Sequence, residues 1–136
     1  MNRETELLHL ADTPFEWEGA LNPPVVHASL FCFESLQEFL DTRAGKKQRY
    51  TYARSGNPTT RVLEKKIAFL EQAEDALALA SGMAAITATL LALVETGDHL
   101  LVVSCVYGPV RTFCDTTLRA LGIQTEYFSP QEASDL

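Results

Sequence analysis

The sequence predicts an α/β fold with a mostly parallel sheet, because helical and strand-like patterns alternate along its second half. The segment Leu100-Leu101-Val102-Val103 is apolar on both faces, as expected for a buried parallel strand. Two predicted helices are each followed by a glycine, Gly97 and Gly122, a residue that commonly ends helices. Parallel strands that alternate with helices are joined by right-handed crossovers.

The first part of the chain predicts an arm with little regular structure. Residues 1–24 contain Pro14, Gly19, Pro23 and Pro24, which interrupt any long helix. The chain then predicts, in order, an extended segment over 25–33, a short helix over 33–40 and a solvated basic loop over 42–49.

A longer helix follows this arm. Residues 50–56 favour an extended segment that enters a turn, Asn57 is a good N-cap, and Pro58 suits the first helical position. The spacing predicts a helix over 59–72 that packs through the apolar face listed here: Leu63, Ile67 and Leu70.

The remaining elements complete the α/β pattern. We predict strands over 76–80, 100–103 and 123–128, and helices over 83–95 and 109–121. We therefore divide the chain into an N-terminal arm, residues 1–58, and the first part of an α/β domain, residues 59–136. Three strands behind so long an apolar arm make a poor free-standing domain, so we expect the arm to pack on a partner subunit and further sequence to follow residue 136.

Composition excludes several classes of protein. The formal net charge is −7 and the pI is about 4.9, a balance that repels nucleic-acid phosphates. The N-terminus has no apolar core typical of a signal peptide, and the apolar run Met83–Val94 is too short to span a bilayer. An odd number of cysteines without a C-x-x-C spacing predicts reduced thiols and a cytoplasmic location.

The Ser81-Gly82-Met83 turn is a candidate anion site. A strand that ends at this turn and opens a helix leaves unpaired N–H groups of Gly82 and Met83 at the positive end of the helix dipole. Such a turn can hold a phosphate. The alternative is that the glycine only lets helix and sheet pack closely.

Three side chains could complete a ligand site. Tyr107 follows the strand 100–103, at the sheet edge where α/β proteins bind ligands, and could stack on a planar ring. Tyr52 and Arg54 are two residues apart on an extended segment, so they share a face and could bind phosphate together. Each alone could instead be a surface aromatic, a packing residue or an ion-pair partner. The histidines lie at no metal-ligand spacing, so we predict no metal site.

Four motifs together resemble the cysteine/methionine-metabolism enzymes that use pyridoxal phosphate (PLP). Tyr52-Ala53-Arg54-Ser55-Gly56-Asn57-Pro58-Thr59 is similar to their Y-x-R-x-x-N-P-T segment, and Ser81-Gly82-Met83-Ala84-Ala85 to their S-G-M-A-A turn. Gly97-Asp98-His99 and Tyr107-Gly108 follow in the same order. The resemblance implies an aspartate-aminotransferase-like (PLP type I) large domain and a homotetramer built from tight dimers.

The resemblance also implies roles for the candidate residues. The Gly82 and Met83 amides would hold the PLP phosphate, and Tyr107 would stack on the pyridine ring as a catalytic residue. Tyr52 and Arg54 would reach the phosphate in the neighbouring subunit. The Tyr107-Gly108-Pro109 segment is most similar to the bacterial cystathionine β-lyase branch, which converts cystathionine to homocysteine, pyruvate and ammonia. Cystathionine γ-synthase, cystathionine γ-lyase and methionine γ-lyase are the alternatives.

The lysine that the family joins to PLP has no candidate in this sequence. Two lysines lie in the basic loop and two on the polar face of a predicted helix: Lys46, Lys47, Lys65 and Lys66. We therefore expect these 136 residues to be an N-terminal segment that is inactive alone. A second possibility is a non-catalytic fragment that acts only in interaction or oligomerisation.

Overall fold

A computed structural model describes residues 2–131, and the chain divides after Ala78 into two compact units. The helices of the first unit are α1 (Arg3–His9), α2 (Leu36–Arg43) and α3 (Pro58–Glu71), with a 3-10 helix over Pro14–Trp17. The second unit contains α4 (Gly82–Leu93), β1 (His99–Val103), α5 (Gly108–Phe113) and β2 (Gln124–Phe128).

Helix α1 lies in the arm that we predicted to be irregular, so that prediction was wrong. The Asn2 side chain caps the helix by accepting a hydrogen bond from the Thr5 amide at 2.9 Å. Arg3 donates to the Leu70 carbonyl at the end of α3, at 2.8 Å, and Lys66 donates to the Leu8 carbonyl at 2.9 Å. The two helices therefore each satisfy a terminal carbonyl of the other.

Helix α2 begins three residues later than predicted, because Ser35 is its N-cap. The basic loop that follows is not simply solvated. Glu38 is only 9% exposed, and its carboxylate lies 3.2 Å from Arg49 and 4.0 Å from Lys47. Two cations of the loop are thus paired with a buried acid of the helix before it.

Helix α3 matches the predicted helix to within one residue, with Asn57 as N-cap and Pro58 first. Its predicted packing face is not covered: Leu63, Ile67 and Leu70 are 54%, 42% and 44% exposed. The buried residue of this helix is Ala68, and its ends are held by the Asn57 cap and by the hydrogen bond from Arg3.

The second unit is built around a parallel pair of strands. Strands β1 and β2 pair from His99 opposite Gln124 to Val103 opposite Phe128, as the predicted crossover requires. The core lies between the strands and helices and consists of Val110, Cys114, Leu118 and Ile123. Gly122 turns the chain into β2 with a φ of +80°, which explains the glycine at this position.

Two local departures from the prediction occur. Residues 76–80 form no strand with any described residue, because β1 and β2 make up the whole sheet of the described chain. The predicted third helix is continuous, but its middle over Cys114–Leu118 has the wider π-helical turn. Among residues 79–131, this turn includes the fully buried side chains Cys114 and Leu118.

The three cysteines, Cys32, Cys105 and Cys114, form no disulfide. Within residues 2–131, no helix has the length and apolar character needed to cross a membrane.

Candidate functional site

The Ser81-Gly82-Met83 turn opens α4 as the sequence predicts. The Ser81 hydroxyl accepts a hydrogen bond from the Ala84 amide at 3.1 Å, and the Ser81 carbonyl accepts one from the Ala85 amide at 3.0 Å. No described residue accepts a hydrogen bond from the Gly82 or Met83 amide. A Cβ at Gly82 would meet nothing within 4 Å. The turn therefore presents two free N–H groups with open space beside them.

Tyr107 lies on the loop after β1, immediately before α5. Its carbonyl accepts hydrogen bonds from the amides of Val110 and Arg111, at 2.9 and 3.2 Å, which fixes the loop to the helix. Its side chain is 65% exposed. An exposed aromatic ring on a fixed backbone is suited to stacking on a planar ligand.

The turn and Tyr107 are anchored by the same apolar core. Met83 of α4 packs on this core, and so does Val106, the neighbour of Tyr107. Val110 in the first turn of α5 is one of its buried members. Side chains next to both candidate sites therefore share one packed cluster within the second unit.

The predicted pair Tyr52 and Arg54 is formed in the first unit. The Arg54 guanidinium donates to the Tyr52 hydroxyl at 2.7 Å, and its carbon lies 4.9 Å from the centre of the Tyr52 ring. Tyr52 is held by an antiparallel bridge to Leu30. Both side chains therefore point the same way from a backbone that a second segment supports.

The Asn57-Pro58-Thr59 part of the motif connects this segment to α3. Asn57 donates to the Val26 carbonyl at 2.9 Å, and Thr59 accepts from the Val26 amide at the same distance. A groove of about 540 Å³ lies alongside, and Arg54 and Asn57 contribute to its lining. The motif thus shapes one wall of an open, partly polar groove in the first unit.

Sequence reasoning missed three charged residues of this groove region. Arg61 donates to both carboxylate oxygens of Asp75, at 2.6 and 3.0 Å, and lies 3.3 Å from Glu64. Glu64 accepts from the Ala78 amide at 3.0 Å. The hydrogen bonds between Arg61 and Asp75 lower the pKa of the Asp75 carboxyl and raise the pKa of the Arg61 guanidinium. The three-residue spacing of Arg61 and Glu64 on α3 indicates that their side chains are neighbours. No local pattern in the sequence predicts that Asp75 joins them.

A second polar group lies in the second unit. Tyr127 donates to the Asp115 carboxylate at 2.7 Å, and Arg111 stacks 3.9 Å from the centre of its ring. Burial, together with Asp115, raises the pKa of Tyr127 to about 12. Burial and the Asp115 charge also raise the pKa of the Cys114 thiol, so this cysteine is a packing residue.

Comparison with known proteins identifies the family. The model of the Cys/Met metabolism PLP-dependent enzymes matches residues 4–136. The chain belongs to this family. The resemblance and the cofactor that it predicts, PLP, are thereby confirmed.

Individual relatives agree with the family assignment. The chain is 45% identical over 127 residues to a Rhizobium johnstonii protein named "Putative cystathionine beta-lyase", covering 93% of this chain and 31% of the relative. It is 40% identical over 117 residues to the chloroplastic cystathionine gamma-synthase 1 of Nicotiana tabacum, and the match covers 86% of this chain and 22% of that relative. This chain therefore spans less than a third of either relative.

The fold agrees with solved structures of PLP-dependent transsulfuration enzymes, which confirms the predicted fold class. The crystal structure of a Campylobacter jejuni protein named "putative O-acetylhomoserine (thiol)-lyase (metY)" superposes on this chain with a TM-score of 0.87 at 28% identity. The superposition covers 98% of this chain and 33% of that one. That structure contains N'-pyridoxyl-lysine-5'-monophosphate. The family's lysine has no counterpart in the second unit here, because residues 79–136 contain no lysine.

Proposed function

We propose that this chain is the N-terminal segment of a cytoplasmic PLP-dependent carbon–sulfur lyase that cleaves cystathionine to homocysteine, pyruvate and ammonia. The free Gly82 and Met83 amides at the head of α4 carry the proposal, because they fit a phosphate group. The 45% identity to the Rhizobium johnstonii relative supports the β-lyase reaction.

Each candidate residue has a role in this proposal. The Gly82 and Met83 amides bind the PLP phosphate, and Tyr107 stacks on the ring and orients it. When bound, PLP supplies an electron-withdrawing ring that accepts the electron pair left by the Cα proton of the substrate. Tyr52 and Arg54 bind the phosphate in the neighbouring subunit of a homotetramer, as a phenol and a guanidinium side by side can do.

The chain alone is proposed to be inactive. Its four lysines all lie in the first unit, and three of them already have partners within 4.0 Å: Lys46 with Asp41, Lys47 with Glu38, and Lys66 with the Leu8 carbonyl. A lysine held by a carboxylate or a carbonyl is not free to attack the aldehyde of PLP.

A chimera tests the proposal. This chain is joined to the part of the Rhizobium johnstonii relative that follows its matching region, and both the chain and the chimera are assayed with PLP and cystathionine. We expect pyruvate and homocysteine from the chimera and no turnover by the chain. A chimera that retains PLP but forms no pyruvate would contradict the β-lyase reaction.

Cystathionine γ-synthase is the second candidate, favoured by the 40% identity to the Nicotiana tabacum enzyme. A γ-synthase forms the bond between sulfur and Cγ: it joins cysteine to an activated homoserine ester and releases the acid of that ester, so it would not form pyruvate from cystathionine. The chimera is therefore also assayed with cysteine and an O-acylhomoserine, and formation of cystathionine there, without pyruvate from cystathionine, would favour the γ-synthase.

A further inference from the structure

Arg111 of α5 contacts both ends of the loop that carries Tyr107. The loop leaves β1 at Ser104 and enters α5 at Gly108. The Arg111 guanidinium donates to the Ser104 carbonyl at 3.1 Å, and the Arg111 backbone amide donates to the Tyr107 carbonyl at 3.2 Å. A single residue of the helix therefore closes the loop from the end of the strand to the start of the helix.

The first end of this loop is also fixed to the sheet. The Ser104 amide donates to the Phe128 carbonyl at 2.7 Å, which extends the pairing of β1 with β2 beyond Val103. Within the loop, the Val106 amide donates to the Val103 carbonyl at 3.1 Å. The bond from Arg111 thus joins α5 to a point of the loop that the sheet already holds.

The Arg111 side chain is held in turn by Tyr127 of β2. The guanidinium carbon lies 3.9 Å from the centre of the Tyr127 ring, and a stacked guanidinium keeps its N–H groups available at its edges. The Tyr127 hydroxyl donates to the Asp115 carboxylate at 2.7 Å. Asp115 therefore orients the ring on which the guanidinium lies, and all three residues belong to the second unit.

The loop backbone sets where the Tyr107 ring can lie, because one methylene group joins the ring to that backbone. Stacking between planar rings depends on their separation and angle. A displacement of about 1 Å in a group that orients a reactant can lower a reaction rate about a hundredfold. A residue that fixes the loop can therefore affect the reaction without touching the reactants.

We propose that Arg111 is a positioning residue, which fixes the loop so that the Tyr107 ring is held in place to stack on the cofactor ring. Tyr127 and Asp115 keep the Arg111 side chain in the conformation that this role requires. The inference rests on the proposed function, in which Tyr107 stacks on PLP. It adds three residues that act through Tyr107 and do not touch the cofactor themselves.

Backbone relaxation measured by 15N NMR on this chain, without cofactor, tests the effect on the loop. Arg111→Met keeps the apolar stem of the side chain but removes its donors and its charge. Arg119→Met is the control, because it makes the same change at an exposed position later in the same helix. We expect faster and larger motion of the Tyr107 amide in Arg111→Met alone. An equally rigid loop in Arg111→Met would overturn the inference, whether or not PLP binds.

Circular dichroism of PLP bound to the chimera tests the effect on the cofactor. We expect Arg111→Met to retain PLP on dialysis but to lose roughly half of the signal per bound PLP or more, and Arg119→Met to lose none. In a Tyr107→Ala background, Arg111→Met should cause no additional loss, because it acts through the tyrosine ring. An additional loss there would show that Arg111 acts on the cofactor by another route, and the inference would be wrong.

The same spectra separate this inference from the proposed function. If Tyr107→Ala itself leaves the signal unchanged, the proposed role of Tyr107 is wrong and the inference falls with it. If Tyr107→Ala lowers the signal and Arg111→Met does not, the inference alone is overturned. Tyr127→Phe is a milder variant that keeps the ring and loses only the bond to Asp115, so its signal should lie between those of the parent chimera and Arg111→Met.

Discussion

The Arg54 guanidinium donates a 2.7 Å hydrogen bond to the Tyr52 hydroxyl while lying over the Tyr52 ring. This contact fixes both side chains on one side of the segment that precedes α3. It leaves other N–H groups of Arg54 free to bind an anion, because a guanidinium has five donors. The first prediction follows from this arrangement.

We predict that Arg54→Ala in the chimera lowers PLP affinity by about tenfold to a hundredfold, the usual effect of losing a charged hydrogen bond. The PLP affinity of Arg54→Lys should lie between those of the parent chimera and Arg54→Ala, because lysine keeps the charge but lacks the planar guanidinium. PLP retained after dialysis measures the effect. Equal retention by the parent and Arg54→Ala would contradict the role of Arg54.

The Asp75–Arg61 pair predicts an acid-sensitive contact. Since the pKa of Asp75 is lowered in the folded chain, the pair stabilises the fold above the unfolded pKa of about 3.9. That contribution is lost as pH falls through the lower folded pKa. We therefore expect the Ala76 amide, which donates to Asp75 at 2.8 Å, to exchange faster below about pH 4 than the neighbouring amides of α3.

Hydrogen exchange followed by NMR measures this loss, with Asp75→Asn as the control. The variant has no carboxylate at position 75 to protonate, so exchange at the Ala76 amide should show no added acid step. An identical acid step in Asp75→Asn would show that another group is responsible.

The cysteines predict a two-step thiol reaction. Cys32 and Cys105 are exposed, whereas Cys114 is fully buried and its thiol pKa is raised. A thiol reagent at neutral pH should label two thiols of the folded chain promptly and the third only after unfolding. Mass spectrometry of the labelled peptides identifies the slow site, and rapid labelling of Cys114 would contradict the described core.

Periodicity was enough to predict the elements whose neighbours lie within the described chain. The apolar run that became β1 and the segment that became β2 pair as expected, α3 begins at its predicted cap, and α4 begins at the predicted turn. Residues 76–80 have the same strand-like composition, but a strand needs a second backbone, and no described residue provides one.

Helix α1 was missed because the prolines and glycine of residues 14–24 dominated the interpretation of the whole arm. The signals were present: Asn2 as cap, Glu4 and Glu6 in the first turn, and His9 in the last. They apply only to residues 2–9, well before the first proline at position 14, so a shorter window would have found them.

Within the candidate site, local patterns predicted local contacts. Alternation along an extended chain predicted Tyr52 beside Arg54, and a Ser-Gly turn that opens a helix predicted two free amides at the head of α4. The bond from Arg61 to Asp75 joins residues 14 positions apart, and no periodicity specifies that distance. The prediction that the apolar face of α3 is packed was wrong. Amphipathic spacing shows that a helix has an apolar face, but it does not show which element covers that face.

The central claim, that the Gly82 and Met83 amides bind the cofactor phosphate, is tested most directly by NMR titration of this chain with pyridoxamine 5'-phosphate. This probe lacks the aldehyde and so does not react with lysines. Gly82→Ala keeps the amide and meets open space, whereas Gly82→Pro removes the amide at the first helical position, where proline is tolerated.

We predict that the Gly82 and Met83 amide resonances shift on titration, that Gly82→Ala binds like the parent chain, and that Gly82→Pro binds at least tenfold more weakly. Equal binding by Gly82→Pro, or shifts confined to residues away from the head of α4, would contradict the claim.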